Sequence, residues 1–235
     1  MRAYIDLHIH SALSPCSNDD MTPNNISNMA FLKGLDIIAL TDHNSAENCD
    51  ALIKCAQKRK IIMVPGMELE TREEVHLLCL FPGIEEALKM QELVYGLLPN
   101  IKNREDVFGK QIVMDENDNV LRNVDRLLLT ASSLSIEDAF SAVLSLGGAV
   151  IPAHINRESY SIISNLGTIP KIAGLKYLEV TKTCNISNYL EQNPLLREYN
   201  LMKSSDAHAL GDILERVSFI DLEEISLRCL LQTLR

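Results

Sequence analysis

Residues 3–11 read AYIDLHIHS, an apolar, strand-like run that ends in two histidines one residue apart. Side chains two apart on an extended strand share a face, so His8 and His10 point the same way. The plan recurs at DIIALTDHN (36–44), AVIPAHINR (149–157) and LMKSSDAH (201–208), each an apolar run closed by a polar, histidine-bearing cluster. His76 lies within VHLLCLF (75–81), shortly after Glu68 in VPGMELE (64–70). These stretches hold all six histidines of the chain: His8, His10, His43, His76, His154 and His208.

Outward from these runs, short apolar segments alternate with amphipathic ones, the mark of a parallel α/β architecture. Strands are expected at 3–7, 36–40, 61–65, 75–81, 149–153, 175–180 and 201–204. Thr22-Pro23 opens a helix that Gly34 closes. Ser45 can cap a helix over 46–59, and further helices are expected over 85–98, from Ser135 to Gly147, and over about 187–199. A last strand at 218–222 and a helix to Arg235 close the chain. Residues 99–133 break the rhythm, with QIVMDENDNVLRNV reading as a β-hairpin. The chain is therefore expected to form one domain over 1–235, with a small inserted hairpin region at about 99–133. Its roughly seven β/α units place the polar clusters at the C-terminal ends of strands, where α/β sheets and barrels build their sites.

The composition is that of a soluble globular protein, 46% hydrophobic and 23% charged over 235 residues. No apolar run approaches the 18 or so residues of a membrane span, and the first ten residues lack a signal-peptide core. A cytoplasmic location with reduced thiols is expected. The six cysteines form no CxxC pair, which argues against a zinc ribbon or a thioredoxin motif. A net charge of −10 disfavours broad binding to a nucleic-acid backbone, so no stable nucleic-acid partner is expected. With 5% aromatic residues and no tryptophan, stacking platforms for single strands are few.

Each motif alone has an ordinary reading. TDHN can be a capping turn, SDAH a loop, and His76 a core residue. Jointly, histidines confined to strand ends, with Glu68 and Asp206 among them, read as metal ligands. Mixed imidazole and carboxylate donors suit Zn, Mn or Fe better than Ca or Mg. Eight or nine such donors exceed the needs of one ion and fit two or three.

DLHIHS (6–11), TDHN (41–44), PGMELE (65–70), His76, PAHINR (152–157) and SSDAH (204–208) together resemble the PHP family of polymerase-and-histidinol-phosphatase metallohydrolases. The resemblance spans nearly the whole chain in motif order. It implies a distorted (β/α)7 barrel of PHP type, a trinuclear site on its C-terminal face, and hydrolysis of a phosphoester by a metal-activated hydroxide. By the same resemblance His8, His10, Glu68 and Asp206 hold one ion. Glu68 bridges to a second, completed by His76 and His154, and His43 and His208 hold a third with one ligand from the loop after His10. That loop, SPCSNDDMTP, lacks the Asp-Gly pair of many family members. Asp20 is assigned as its ligand, with Asp19 and Cys16 left open.

Cationic anchors for a phosphate should stand near the ligands. Arg157, three residues after His154, is the first choice and Arg72, four after Glu68, the second; Lys182, after LEVT, is a weaker third. Asp206, His208 and Arg157 are assigned to the reacting phosphate. The expected activity is that of a metal-dependent phosphoesterase acting on a small phosphorylated substrate, such as a nucleotide, or on the 5′ end of a short oligonucleotide. Histidinol-phosphatase activity is one alternative. A metal-stabilised interaction or proofreading module acting with a partner is another. The amidohydrolase barrel also opens on HxH but predicts a bridging lysine, a role that falls here to Glu68.

Overall fold

The computed structural model describes Met1–Arg235. In chain order its elements are β1 (Arg2–Ile9), α1 (Pro23–Leu32), β2 (Ile37–Leu40), α2 (Cys49–Gln57), β3 (Ile62–Glu70), β4 (His76–Leu80), α3 (Ile84–Leu97), α4 (Glu105–Phe108), β5 (Ile112–Met114) and β6 (Val120–Asn123). They continue with α5 (Ile136–Ser145), β7 (Ala149–Pro152), α6 (Ile162–Leu166), β8 (Tyr177–Thr181), α7 (Ile186–Gln192), β9 (Asn200–Ser204), β10 (Phe219–Asp221) and α8 (Leu227–Leu234). No helix is long and apolar enough to cross a membrane.

A curled sheet runs β10-β1-β2-β3-β4-β7, and β8 pairs with β9 in parallel. Two backbone hydrogen bonds set this pair between β7 and β1. Ile155 N–H donates to the Glu179 carbonyl at 2.9 Å, and His10 N–H donates to the Ala207 carbonyl at 3.0 Å. The strands β1, β2, β3, β4, β7, β8 and β9 thereby curl into a distorted barrel, while β10 lies antiparallel on the first residues of β1.

The expected all-parallel order is broken at β4, which runs antiparallel to both β3 and β7. Only residues 71–75 join β3 to β4, and a parallel return needs a crossover of a dozen residues or more. Two helices also differ from expectation. Ser45 Oγ donates to Gln91 Oε1 instead of capping, and α2 starts after Asn48. The helix expected over 187–199 stops at Gln192, and Pro194 opens a separate 3-10 turn, because proline cannot donate to a continuing helix.

The barrel interior is filled by one apolar cluster that includes Ile5, Leu7, Ile37, Ala39, Val64, Leu78, Leu80, Ala149 and Ile151, with Leu230, Leu231 and Leu234 of α8. On β4, simple alternation places His76 with Leu78 and Leu80, and on β3 it places Glu68 with Val64. On β1 strict alternation would separate Ile5 and Leu7 from His8 and His10. The β1–β2 register shifts between Asp6 and Ile9. An extra residue in one strand changes which face the following side chains meet, so the apolar residues and both histidines serve the same interior. Ile9, beyond the shift, packs in the outer core with Leu40.

The inserted region packs against the loop that follows His10. Ile112 N–H donates to the Ala12 carbonyl at 2.8 Å, and Asn48 bridges Ser11 Oγ to β5. Gly109 has φ 98° and sits so close to Pro15 that a Cβ there would fall 2.1 Å from the Pro15 carbonyl oxygen. A side chain at this position would push the two segments apart.

Asp6 holds β1 to the end of the chain. Its buried carboxylate accepts from Ser205 N–H at 3.0 Å and from Leu214 N–H at 2.9 Å. Burial pushes its pKa up, against the pull of those hydrogen bonds. Removing the acceptor leaves two amides unpaired, so Asp6→Ala should lower the unfolding free energy by roughly 2–5 kcal/mol. Asp6→Asn, which keeps one acceptor oxygen, should cost less. Urea unfolding of the two variants beside the parent chain measures both.

Candidate metal centre

The strand ends converge on Glu68. Its Oε1 lies 2.8 Å from His76 Nδ1, 3.1 Å from His154 Nε2 and 3.3 Å from His8 Nε2. Its Oε2 lies 3.0 Å from His43 Nδ1 and 3.4 Å from His10 Nε2. Asp206 Oδ1 is 3.3 Å from His8 Nε2 and 3.2 Å from His10 Nε2. Three sets of donor atoms are close enough to share an ion: His8, His10, Glu68 and Asp206; His43, Glu68 and His76; and His10, His43 and His208. Two of the expected site residues sit on strained backbone just past their strands, His154 at φ 30° and Asp206 at φ 52°.

Hydrogen bonds around the cluster assign its tautomers. The buried Glu179 carboxylate lies 3.0 Å from His8 Nδ1 and can only accept, so that nitrogen carries the proton. Ser14 Oγ donates to Asp42 Oδ1 at 2.7 Å and therefore accepts from His10 Nδ1–H at 2.9 Å. In the neutral rings both Nε2 atoms are then lone pairs, and they face one another at 3.0 Å. Glu68 Oε2 and His154 Nδ1 are buried with no hydrogen-bond partner, Oε2 having only the close His43 and His10 nitrogens beside it. A buried carboxylate oxygen without a hydrogen-bond partner, beside two imidazole lone pairs that face one another, is costly unless a cation lies among them. The donor chemistry of these residues fits divalent metal ions, and Glu179 and Ser14 orient His8 and His10 as outer carboxylates and hydroxyls orient ligating imidazoles.

The proton affinities agree in direction. Burial opposes charge on His8, but Glu179, Glu68 and Asp206 outweigh it and raise its pKa well above the usual value. His10, buried beside Asp206 and Glu68, is raised to about 9. Glu68 and Asp206 are held well below the carboxylate range, since the facing histidines outweigh burial. For His43 and His208 burial, joined by repulsion from charged His10, outweighs the nearby carboxylates and lowers them to about 3 and about 4.

The loop after His10 differs from expectation. Asp20 is exposed and stands outside the three donor sets. Asp19 is exposed and pairs with Lys110 at 3.3 Å. Cys16 Sγ instead lies 3.1 Å from His208 Nε2. Asp20 lies closest before Thr22-Pro23, but the chain there turns back to α1, where the Asp20 carbonyl accepts from Asn25. Arg157 reaches the site, with Nη1 2.8 Å from Asp206 Oδ2. Arg72 is mostly exposed, pairs with Glu73 and does not line the cleft. Lys182 is likewise turned away, 2.7 Å from Asp212.

A model of the PHP domain matches residues 6–148. The chain belongs to the PHP family. An uncharacterised protein of Methanocaldococcus jannaschii is 28% identical over 168 residues, 67% of this chain and 20% of that protein. The lesion-specific endonuclease Q of Pyrococcus furiosus superposes with a TM-score of 0.67 at 19% identity, over 100% of this chain and 56% of its own. A proposed metal-dependent phosphoesterase of Bifidobacterium adolescentis superposes with a TM-score of 0.59 at 17% identity, over 88% of each chain. This PHP chain thus spans about half the length of the endonuclease and a fifth of the Methanocaldococcus protein.

One supporting residue of this PHP domain has no motif to mark it. Glu179 looks like a strand carboxylate in YLEVT, and its only signal was a charge inside an apolar run. Asp42 precedes His43, yet its carboxylate turns to Ser11 and Ser14.

Protons on His8 and His10 supply the positive charge when metal is absent, which gives a pH dependence with a definite sign. A raised histidine pKa contributes stability that is complete below about pH 6.5 and is lost as pH rises through about 9. With chelator present, the melting temperature should fall as pH is raised over this window. With Mn²⁺ added, the fall should disappear. Thermal unfolding followed by circular dichroism under both conditions reads the difference.

Proposed function

We propose that this chain is a metal-dependent phosphoesterase. The carrying observation is the convergence of five imidazoles on the buried Glu68 carboxylate at the floor of an open cleft, with the His8 and His10 lone pairs facing one another. That cleft, of about 380 Å³, is lined by His43, Glu68, His76, Asp206 and His208, with Arg157 on its wall. In this reading His8, His10, Glu68 and Asp206 hold one ion; Glu68, His76 and His154 hold a second, beside His43; and His43, His208 and Cys16 hold a third.

Bound divalent ions would neutralise phosphate charge and lower the pKa of a water toward about 7. Arg157 contributes a bidentate cationic fork above the ligands. Its present partner is Asp206 at 2.8 Å, so an arriving phosphate would share the guanidinium with that carboxylate. Asp206, held well below the carboxylate range because the groups facing it outweigh burial, is an acceptor at neutral pH and not a proton donor. His208, lowered to about 4 by burial, presents a lone pair instead of a proton. Both therefore bind and orient. No serine or cysteine nucleophile is required, since Ser11 and Ser14 are committed to Asp42.

The substrate is proposed to be a phosphomonoester or the terminus of a short oligonucleotide. The full set of converging donors favours an enzyme over an interaction module, which has no use for an open, metal-lined cleft.

Two outcomes test this. Purified protein should carry more than one equivalent of transition metal per chain by plasma mass spectrometry. His8→Ala should reduce that number and lower p-nitrophenyl phosphate turnover on the order of 100-fold or more. At most one metal, with turnover untouched by His8→Ala, would falsify the multinuclear reading. For the third position, cobalt-substituted protein should show a thiolate-to-cobalt charge-transfer band that Cys16→Ser removes, whereas a band missing from the parent chain returns the assignment to the aspartates.

A further inference from the structure

Two aromatic rings stand in the metal cleft and remain open to solvent, Tyr160 at 47% and Phe108 at 39% exposure. Neither is a casual surface residue. Tyr160 has φ 55°, uncommon for a bulky side chain. Its carbonyl accepts from His76 N–H at 3.0 Å, and its ring stacks on His76 with centroids 4.9 Å apart and planes 26° apart. The strained tyrosine is thus fastened to a strand that carries a site histidine, while nearly half of it stays exposed. Phe108 ends α4, and the following Gly109 presses on Pro15 in the loop after His10. The insertion is in this way docked where its phenylalanine reaches the cleft.

A third group shares the wall. The Glu70 carboxylate lines the cleft, and His76 Nε2 stands 3.9 Å from it, beyond hydrogen-bond range. It is an acceptor without a donor.

We propose that the cleft takes a nucleotide, with the phosphate at the Glu68 cluster and Arg157, the base stacked on Tyr160 and Phe108, and a base N–H donated to Glu70. The proposal rests on the phosphoesterase reading and adds the substrate class. A base-free sugar phosphate would use the cluster alone, leaving two ordered rings wet and Glu70 unpaired. A heteroaromatic base offers both a π face and ring-edge donors, which together match what the wall presents.

The test compares the methylene phosphonate analogues of adenosine 5′-monophosphate and ribose 5-phosphate, which lack the hydrolysable ester oxygen. Their dissociation constants are measured by calorimetry on the full chain loaded with Mn²⁺. The adenosine analogue should bind tighter by on the order of tenfold. The ratio of the two constants, with the ribose analogue as each variant's own reference, should fall toward one in Tyr160→Ala and in Phe108→Ala and persist in Tyr160→Phe. A ratio near one in the parent chain, or a ratio that survives both alanine variants, overturns the proposal. Phosphate release from adenosine 5′-monophosphate is scored separately. Base-dependent binding without release would overturn the hydrolase reading and leave the base platform standing.

Discussion

Everything in this molecule is arranged around the burial of one carboxylate. Glu68 is 1% exposed and has the nitrogens of five histidines within 3.4 Å. A carboxylate in such a place is prohibitively desolvated unless positive charge is supplied to it. The protein aims two imidazole lone pairs there, because outer partners commit the protons of His8 and His10 to the far side of each ring. Either added protons or bound cations must balance the cluster. That requirement links the fold's stability, its pH dependence and its chemistry.

The scaffold is adjusted to permit this. The irregularity in β1 lets one strand fill the barrel with Ile5 and Leu7 and still deliver both histidines to the cluster. The short link to β4 forces an antiparallel strand, which places His76 directly across from Glu70 in the β3–β4 register. Strained residues gather at the same rim, with Asn44 at φ 50° beside His154 and Asp206. Asn44 is held by two carbonyls of the inserted region, Leu128 and Thr130. Strain of this kind persists where surrounding bonds over-determine it. The insertion is thereby part of the site's frame as well as its wall.

Much of the arrangement was legible in the chain. HIH on an apolar run, PGMELE and SSDAH carry their own geometry, because alternation along a strand is a local property. That His8, His10, His43, Glu68, His76, His154, Asp206 and His208 share one cluster was legible from the rule that sites form at strand ends, whereas the shift in β1 that turns both histidines to the interior was not. The antiparallel course of β4 was also within reach, since even the nine residues between the strands expected at 61–65 and 75–81 are too few for a crossover. Asp20 stands outside the cluster because, in a loop, proximity along the chain says little about direction. Arg72 stands outside likewise, its side chain turning outward to Glu73 while Arg157 turned inward to Asp206.

The sequence by itself determined the element types, the α/β plan and which residue types are gathered at strand ends, because short-range periodicity and the rarity of histidine are written locally. Only the tertiary structure decided how those ends meet. It set Glu179 behind His8, Ser14 behind His10, Cys16 beside His208, and Tyr160 and Phe108 on the cleft wall. Each of these pairings spans a barrel closure or a loop path, and chain direction there is set by packing across long sequence separations that no local pattern encodes.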